Sequence, residues 1–376
     1  MDAEAGWTLP ARVVWVNGSG ECSGAEAVML SLVERAVADG VDVVVTSPPG
    51  PLSDRLPPGV RHVRLPTFGL GGGDGPAART AAVASLAART GRTARALRPE
   101  IGRPDTHTIV NSLLALPAVR LARPARPPTW LVHDVVTRRP QRWFVATGIR
   151  RAGHGAPIER AVAVSEAAAA PLRPLGCPVV VRPNGVPWPV EANALEVHDP
   201  PVVGCAALLV GWKGHTVLLD ALAQLPEVRC ELAGGHLPTD RAHVAALEAR
   251  AAAPDLAGRV RFLGHVDATA AMRTWDVAAL ASTSPEAGPL AVLEAMSLGL
   301  PMVASDLGGS HEYLAAGGGV LVRPGDPTAL AAGIRAALEP ARRAEMALAG
   351  RRQVASHHDR ARTLPALYRA VMGGDA

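Results

Sequence analysis

Two glutamates and one lysine are the residues of this sequence whose types and spacing best suit chemistry. Glu286 and Glu294 lie eight positions apart in the segment SPEAGPLAVLEAMSLGL (284–300), at the start of a predicted helix. Because Glu294 falls in an apolar stretch, its carboxylate needs hydrogen-bond donors, and sugar or ribose hydroxyls would supply them. The alternative is that one glutamate stabilises the helix dipole and the other lies on the surface.

The start of that helix is itself a predicted anion site. Gly288 and Pro289 precede it, and a proline at the first helical position costs no hydrogen bond because its amide would be unpaired there. We therefore expect Pro289 to be the first helical residue. The amides of Leu290 and Ala291 would then be free to bind a phosphate.

Lys213 is the single lysine among 38 basic residues. In a chain with so strong an arginine bias, the survival of one lysine favours a site that needs a compact ammonium rather than a planar guanidinium. Chance is the alternative explanation. The formal net charge of only +4, with three Phe and two Tyr available for stacking, argues against nucleic acid as a partner.

The composition predicts a globular protein of two domains. Hydrophobic residues make up 48% of the 376 residues and charged residues 19%, which suits two sizeable cores. No apolar run reaches the ~18 residues of a membrane span, and Asp2 and Glu4 argue against a cationic leader, so we expect a cytoplasmic protein. No CxxC pair occurs among the four cysteines, so we expect neither a zinc site nor a disulfide framework.

Short apolar runs alternate with Ala- and Leu-rich stretches, which predicts parallel sheets covered by helices on both faces. The predicted strands are 12–17, 41–46, 60–65, 108–111, 129–133, 160–165 and 179–182, then 202–206, 228–233, 260–263, 276–281, 302–305 and 319–322. The predicted helices are 24–39, 77–97, 113–122, 141–153 and 166–175, then 216–224, 240–252, 268–273, 289–298 and 328–338. We expect two doubly wound Rossmann-like domains, 1–182 and 201–340, facing a cleft, with a linker at 183–200 and a helical tail at 341–376.

Together with GWKGH (211–215), the glutamate pair resembles the signature of the family 4 retaining glycosyltransferases, which have the GT-B architecture. Further segments match that family in the same order along the chain. These are GSGECSGAE (18–26), LVHD (131–134), AVSE (163–166), RPNGV (182–186) and GVLVRPGDPTAL (319–330). The resemblance spans nearly the whole chain.

This resemblance implies a hexosyltransferase-type enzyme that moves a sugar from a nucleotide-diphosphate donor, most simply a UDP-sugar, with retention of configuration. The second domain would bind the donor, and the first would bind a small-molecule, lipid-linked or glycan acceptor. The tail would cross back toward the first domain. The family uses no metal or other cofactor, and no DxD triplet occurs here. The high-GC composition fits a bacterial natural-product or cell-envelope pathway.

The family's functional residues can be carried over one by one. Lys213 would bind the donor diphosphate, Glu294 the ribose, and Glu286 the donor sugar near its anomeric centre, while Gly288, Pro289, Leu290 and Ala291 would hold phosphate oxygens. His133 would line the sugar side of the site. The first loop and its surroundings, Gly18, Ser19, Gly20, Gly24, Glu26 and Asp134, would serve the acceptor or the diphosphate.

One departure from the family keeps two alternatives open. The family carries a second cation, an arginine about five residues before the lysine, whereas this sequence has no arginine between Arg182 and Arg229. Arg323 or an arginine of the first domain could replace it. Otherwise the chain would be a catalytically silent or partner-dependent sugar-nucleotide binder. A sugar-nucleotide epimerase of the same fold is the other alternative, and it would need acid and base residues in both halves.

His357, His358 and Asp359 are adjacent residues that could ligate a metal. Because neighbouring residues on a helix point in different directions, we expect a solvated helix instead.

Overall fold

The computed structural model describes residues 7–66, 76–136, 158–175 and 178–374. The chain divides into two compact units, the first made of Met1–Pro183 with Leu364–Ala376 and the second of Asn184–Thr363. The C-terminal segment from Leu364 therefore groups with the first unit, and the segment predicted as a linker groups with the second from Asn184 onward.

The first unit contains a seven-stranded parallel sheet in the order β3-β2-β1-β4-β5-β6-β7. Its strands are β1 (Arg12–Val16), β2 (Asp42–Ser47), β3 (Arg61–Arg64), β4 (Thr106–Val110), β5 (Thr129–Val132), β6 (Arg160–Ala163) and β7 (Val179–Val181). The order reverses between β1 and β4, which makes the carboxyl ends of these two strands the point where such sheets bind ligands.

The second unit contains a six-stranded parallel sheet in the order β10-β9-β8-β11-β12-β13. Its strands are β8 (Val202–Ala206), β9 (Arg229–Ala233), β10 (Val260–Gly264), β11 (Val277–Leu280), β12 (Met302–Ser305) and β13 (Gly319–Val322). Here the order reverses between β8 and β11, and the loops after these two strands carry Lys213 and Glu286.

Helices cover both sheets. In chain order they are α1 (Gly24–Ala38), α2 (Pro76–Ile101), α3 (Leu116–Ala122), α4 (Glu166–Ala169), α5 (His215–Leu222), α6 (Arg241–Ala251), α7 (Ala268–Met272), α8 (Leu290–Ser297), α9 (Gly308–Leu314), α10 (Pro327–Leu338), α11 (Pro340–Gln353) and α12 (Arg360–Val371). Strand β11 shows how the layers are built. Val277 and Ala279 pack in one hydrophobic cluster, whereas Ala278 and Leu280 pack in another on the opposite face.

The predicted fold is confirmed, and every predicted strand is present with its ends displaced by at most two residues. The helix predicted at 141–153 lies outside the described residues. The helix predicted at 166–175 is interrupted, since α4 stops at Ala169 and a separate 3₁₀ turn covers Arg173–Leu175. No helix among the described residues is long and apolar enough to cross a membrane.

The part of α12 from Leu364 onward contacts other elements of the first unit. The carbonyl of Val371 lies 2.9 Å from Nε2 of His107, which is on β4. The guanidinium of Arg35 on α1 lies 5.6 Å from the ring centroid of Tyr368. The end of the predicted tail thus completes the first unit, while α11 belongs to the second.

A buried ion pair ties α11 to the second sheet. Asp276 is fully buried just before β11, and its carboxylate accepts hydrogen bonds from the amides of His198 and Val202. Arg343 on α11 is also buried, and its guanidinium donates to the carbonyls of Asp276 and Leu195. Because buried charges are costly unless they are fully hydrogen-bonded, this network fixes the position of α11 and of the start of β11.

Gly204, in the middle of β8, provides a test of how this strand packs against the ring of Trp275. A Cβ atom at this position would lie 1.8 Å from Cδ2 of the buried Trp275 ring. We predict that Gly204→Ala lowers the free energy of unfolding by about 1–3 kcal/mol, because the indole must move. Urea unfolding measures this change. Gly235→Ala is the matched control, since its nearest neighbour would be at 3.7 Å; equal stability losses in both variants would contradict the packing described.

Candidate active site

Lys213 is positioned by a tight turn after β8. The 3₁₀ turn Gly211–Lys213 leads into Gly214, whose φ of 72° is a conformation that glycine adopts without strain. A Cβ atom on Gly214 would lie only 1.8 Å from the carbonyl oxygen of Ala281, which follows β11. Glycine at 214 therefore lets the loops after β8 and β11 come into direct backbone contact.

Glu286 meets Lys213 across this contact. The Nζ of Lys213 donates to Oε2 of Glu286 at 2.6 Å, and the two side chains are only 15% and 8% exposed. The hydroxyl of Ser282 donates to the other carboxylate oxygen. Two residues 73 positions apart thus form a shielded ion pair, as their positions at the β8/β11 switch point allow.

Trp212 is a second partner of the ammonium that the sequence analysis did not select. The Nζ of Lys213 lies 4.4 Å from the centroid of the Trp212 ring, which is within cation–π range. The carbonyl of Trp212 accepts hydrogen bonds from the amide and the hydroxyl of Thr283, at 2.8 and 3.2 Å. The backbone of Trp212 is therefore hydrogen-bonded to the same loop that carries Glu286.

The loop from Glu286 to Gly288 rests on the start of α9. The amide of Gly309 donates to the carbonyl of Glu286 at 2.7 Å, and Cβ atoms at Gly308 and Gly309 would each lie 2.4 Å from carbonyl oxygens of the loop. The side chain of Asn184 donates to the carbonyl of Gly288 at 3.0 Å. These backbone contacts hold the loop in one conformation.

The structure corrects the predicted role of Pro289. Helix α8 begins at Leu290, and Pro289 is its N-cap with φ −67° and ψ 110° rather than the first helical residue. Val292 is the first residue of this turn whose amide bonds back, to the carbonyl of Pro289 at 3.1 Å. The helix therefore starts one position later than the proline pattern predicted. Leu290 and Ala291 are its first two residues and lie at the end that we predicted to bind an anion.

Glu294 has an environment that disfavours its charged form. Burial in the second turn of α8 is the main cause that raises its pKa to about 7, and repulsion by Asp267 adds to it. No hydrogen bond from a described residue to this carboxyl group offsets these two effects. A ligand that brings hydroxyl donors would therefore stabilise the ionised form.

The structure places the candidate replacement for the missing arginine in a turn after β13. Arg323 is 80% exposed and pairs with Asp326 at 2.8 Å. Within the second unit's described residues, the ammonium of Lys213 is the cation that contacts Glu286.

In the first unit, the glycine-rich loop follows β1 at that sheet's switch point. Gly20 is required by packing, because a Cβ there would lie 2.4 Å from the carbonyl oxygen of Pro49. Gly18 and Ser19 are half-buried, and Gly24 begins α1. Glu26, in the first turn of α1, is buried, and its carboxylate accepts hydrogen bonds from the amide of Ser23.

Asn17 and Asn111 extend this network, and the sequence analysis did not select them. The side-chain amide of Asn17 donates to Glu26 at 3.1 Å and to the carbonyl of Ser19 at 2.7 Å. The amide of Asn111, which follows β4, donates to Oδ1 of Asn17 at 3.0 Å. The carboxylate at one end thus orients both amides, and Oδ1 of Asn111 is left buried without a donor among the described residues.

His133 and Asp134 follow β5 and are both half-buried. Burial lowers the pKa of His133 to about 4, so that its imidazole is neutral near pH 7. Its Nε2 has no hydrogen-bond partner among the described residues. A neutral ring of this kind can exchange hydrogen bonds with a sugar hydroxyl.

The predicted solvated helix at His357–Asp359 is wrong for His358. This imidazole is 4% exposed, and its Nδ1 lies 2.9 Å from the carbonyl of Asn184. His358 ends a π-helical turn over Val354–His358, and its ring packs edge-on against Tyr313 with the ring centroids 4.8 Å apart. In the described part of the chain, no three His, Cys, Asp or Glu side chains are grouped as metal ligands.

Comparisons with known proteins agree with the fold. Residues 22–187 match the family described as Glycosyltransferase Family 4, and residues 190–353 match Glycosyl transferases group 1. A phosphatidyl-myo-inositol mannosyltransferase of Mycolicibacterium smegmatis is 32% identical over 340 residues, which cover 84% of this chain and 81% of that protein. The chain belongs to glycosyltransferase family 4. It is a glycosyltransferase.

Further relatives extend the comparison. A phosphatidyl-myo-inositol mannosyltransferase of Mycobacterium tuberculosis is 35% identical over 213 residues, covering 52% of this chain and 54% of that protein. HepE of Anabaena, solved with UDP and glucose, has a TM-score of 0.74 at 23% identity, covering 97% and 99% of the two chains. Sucrose-phosphate synthase of Thermosynechococcus elongatus has a TM-score of 0.76 at 20% identity, covering 97% and 100%. These solved structures confirm the GT-B fold of the glycosyltransferase.

Neutralising Glu286 separates donor binding from turnover. In Glu286→Gln the carboxylate no longer cancels the charge of Lys213, so we predict that UDP binds at least as tightly as to the unchanged enzyme. The family resemblance implies that Glu286 lies near the anomeric centre, so we expect sugar transfer to fall on the order of 10²-fold through loss of a preorganised charge. Calorimetric titration with UDP and a transfer assay measure the two effects. Ser282→Ala keeps both charges and is the control; parallel losses of binding and turnover in Glu286→Gln would contradict this division.

The raised pKa of Glu294 predicts a pH dependence of donor affinity. Ribose hydroxyls hydrogen-bond best to the ionised carboxylate, and this form becomes populated as the pH rises through about 7. The dissociation constant for UDP should therefore fall between about pH 6 and about pH 8 and then level off. Glu294→Gln should flatten the profile. An unchanged profile in that variant would assign the pH dependence to another group.

Proposed function

We propose that this enzyme transfers a hexosyl group from a nucleoside diphosphate donor to an acceptor hydroxyl, with retention of anomeric configuration and without a metal ion. A UDP-sugar is the donor we expect. The observation that carries the proposal is the ammonium of Lys213, held 2.6 Å from Glu286 on the loop that leads into α8.

The reaction breaks the bond between the anomeric carbon and the diphosphate oxygen, and negative charge develops on the departing diphosphate. Lys213 would bind this charge together with the amides of Leu290 and Ala291. A fixed ammonium and oriented amides can stabilise a leaving diphosphate in the way that a metal ion does elsewhere. We therefore expect the rate to be unaffected by a chelator.

Two further contacts would bind the donor. The carboxyl group of Glu294, whose pKa is raised by burial with no compensating hydrogen bond from the described residues, suits the ribose hydroxyls. Glu286 suits hydroxyls of the transferred sugar. The neutral imidazole of His133, in the first unit, can exchange hydrogen bonds with a hydroxyl-bearing ligand. A uridine nucleotide is supported by the fold neighbour HepE, solved with UDP and glucose.

The first unit would bind the acceptor. Its glycine-rich loop presents the carboxylate of Glu26 rather than a cation, which favours a hydroxyl-bearing group over a diphosphate at this position. The buried Oδ1 of Asn111 needs a hydrogen-bond donor, as an acceptor hydroxyl would be. The relatives named for phosphatidyl-myo-inositol favour a lipid-linked polyol among the possible acceptors.

A second candidate function is that of a sugar-nucleotide binder that turns over only with a partner chain. The absence of an arginine between Arg182 and Arg229 favours it. Loss of one charge-assisted contact to the leaving group would cost roughly 1.5–3 kcal/mol of stabilisation.

Nucleotide binding and donor consumption by the purified chain test the proposal. We predict that UDP at a hundred times its dissociation constant stabilises the protein by about 2.7 kcal/mol in a thermal unfolding assay. Lys213→Ala should lose most of this stabilisation. The same samples, treated with EDTA and a UDP-sugar, should transfer or hydrolyse the sugar, and NMR of the product should show the anomeric configuration of the donor.

Other outcomes separate the alternatives. UDP binding without turnover until a second protein is added would favour the partner-dependent binder, and an epimerised donor would favour the epimerase. An unchanged UDP shift in Lys213→Ala would contradict the role assigned to this residue.

A further inference from the structure

Trp212 stands out because core packing does not explain it. Its side chain is 40% exposed, although it is a large apolar residue in a protein with only seven tryptophans. The contact that its ring does make is to a charge, since the Nζ of Lys213 lies 4.4 Å from the ring centroid.

The loop holds this residue in place through its backbone. The carbonyl of Trp212 accepts hydrogen bonds from the amide of Thr283 at 2.8 Å and from its hydroxyl at 3.2 Å. The amide of Lys213 donates to the carbonyl of Val210 at 3.0 Å. The backbone of Trp212 is therefore fixed by the same contacts that join the two loops, and its ring lies beside the ammonium.

The two partners of the ammonium, Glu286 and the ring of Trp212, differ in whether they neutralise its charge. Glu286, at 2.6 Å, cancels the positive charge that a diphosphate would seek. The ring of Trp212 carries no net charge, and its attraction for a cation varies only gradually with position across its face. When a diphosphate takes the place of Glu286, Nζ can turn toward it and keep its contact with the ring.

We propose that Trp212 is a positioning residue for Lys213, which keeps the ammonium in the site while it exchanges Glu286 for the donor diphosphate. The inference rests on the proposed function, because it requires that Lys213 bind a diphosphate. It also explains how a single ammonium can bind the diphosphate, although the sequence has no arginine between Arg182 and Arg229.

A double-mutant cycle on diphosphate binding tests this inference. The probes are inorganic pyrophosphate, which has neither base nor sugar, and UDP, both titrated calorimetrically in the presence of EDTA. We expect Trp212→Leu to weaken the binding of both probes about fivefold to tenfold, as loss of a shielded cation–π contact does. Trp212→Phe should recover at least part of this loss, since it restores an aromatic face.

The cycle is completed with Lys213→Met. Lys213→Met alone should weaken both probes by at least tenfold, and adding Trp212→Leu to it should change the binding by less than twofold, because the ring acts through the ammonium. A tryptophan that served only the stability of the fold would weaken binding equally in both backgrounds. Leu348→Ala, which truncates a 52% exposed apolar side chain on α11, is the matched control and should bind both probes normally.

Two results would overturn the inference. Pyrophosphate binding unchanged in Trp212→Leu would do so, as would additive effects in the double variant. An effect on UDP alone would show that the ring contacts the nucleoside instead. The proposed function fails differently: wild-type protein that does not bind the probes, or Lys213→Met that binds them normally, would remove the assigned role of Lys213 itself.

Discussion

The contact between Lys213 and Glu286 is the interaction on which the candidate site depends. It joins residues 73 positions apart, at the carboxyl ends of β8 and β11, with both side chains largely shielded from water. Removing two charges from water is costly, and their attraction and hydrogen bonds must offset that cost. A pair of this kind persists where the surrounding loops hold it, and it keeps a positive charge in place for an anionic ligand.

Backbone packing provides most of that support. Gly214 allows the loop after β8 to approach the carbonyl of Ala281, and Gly308 allows the start of α9 to approach the carbonyl of Glu286. A side chain at either position would separate the elements that carry the charged residues. Farther from the site, the buried pair of Asp276 and Arg343 fixes the beginning of β11. The position of the ion pair is thus set by contacts that carry no chemistry of their own.

The loops at the two switch points differ in their charged groups. In the second unit, the ammonium of Lys213 and the N-terminus of α8 suit an anion. The carboxyl group of Glu294, whose pKa is raised, would be stabilised in its ionised form by hydroxyl donors. In the first unit the carboxylate of Glu26 orients Asn17 and Asn111 and leaves an amide oxygen to accept a hydrogen bond. The proposed diphosphate site thus lies in the second unit, and the proposed site for a hydroxyl group lies in the first.

The sequence by itself determined the strands, the order of the elements and the identity of the principal charged residues. Continuous apolar runs such as β8 and β12 are local patterns that the sequence shows directly. Lys213 could be selected as a candidate residue because it is the single lysine of the sequence. Tertiary structure decided what those residues touch. Asn111 donates to Asn17, 94 positions away. Trp212 and Ser282 contact charged residues close in sequence, but the geometry of those contacts is set by the folded loops. His358 is buried in a π-helical turn, against the local pattern. The physical reason is that hydrogen bonds and charge pairs are set by distances that only the packed sheets and loops establish, whereas a strand is already encoded in the polarity of successive residues.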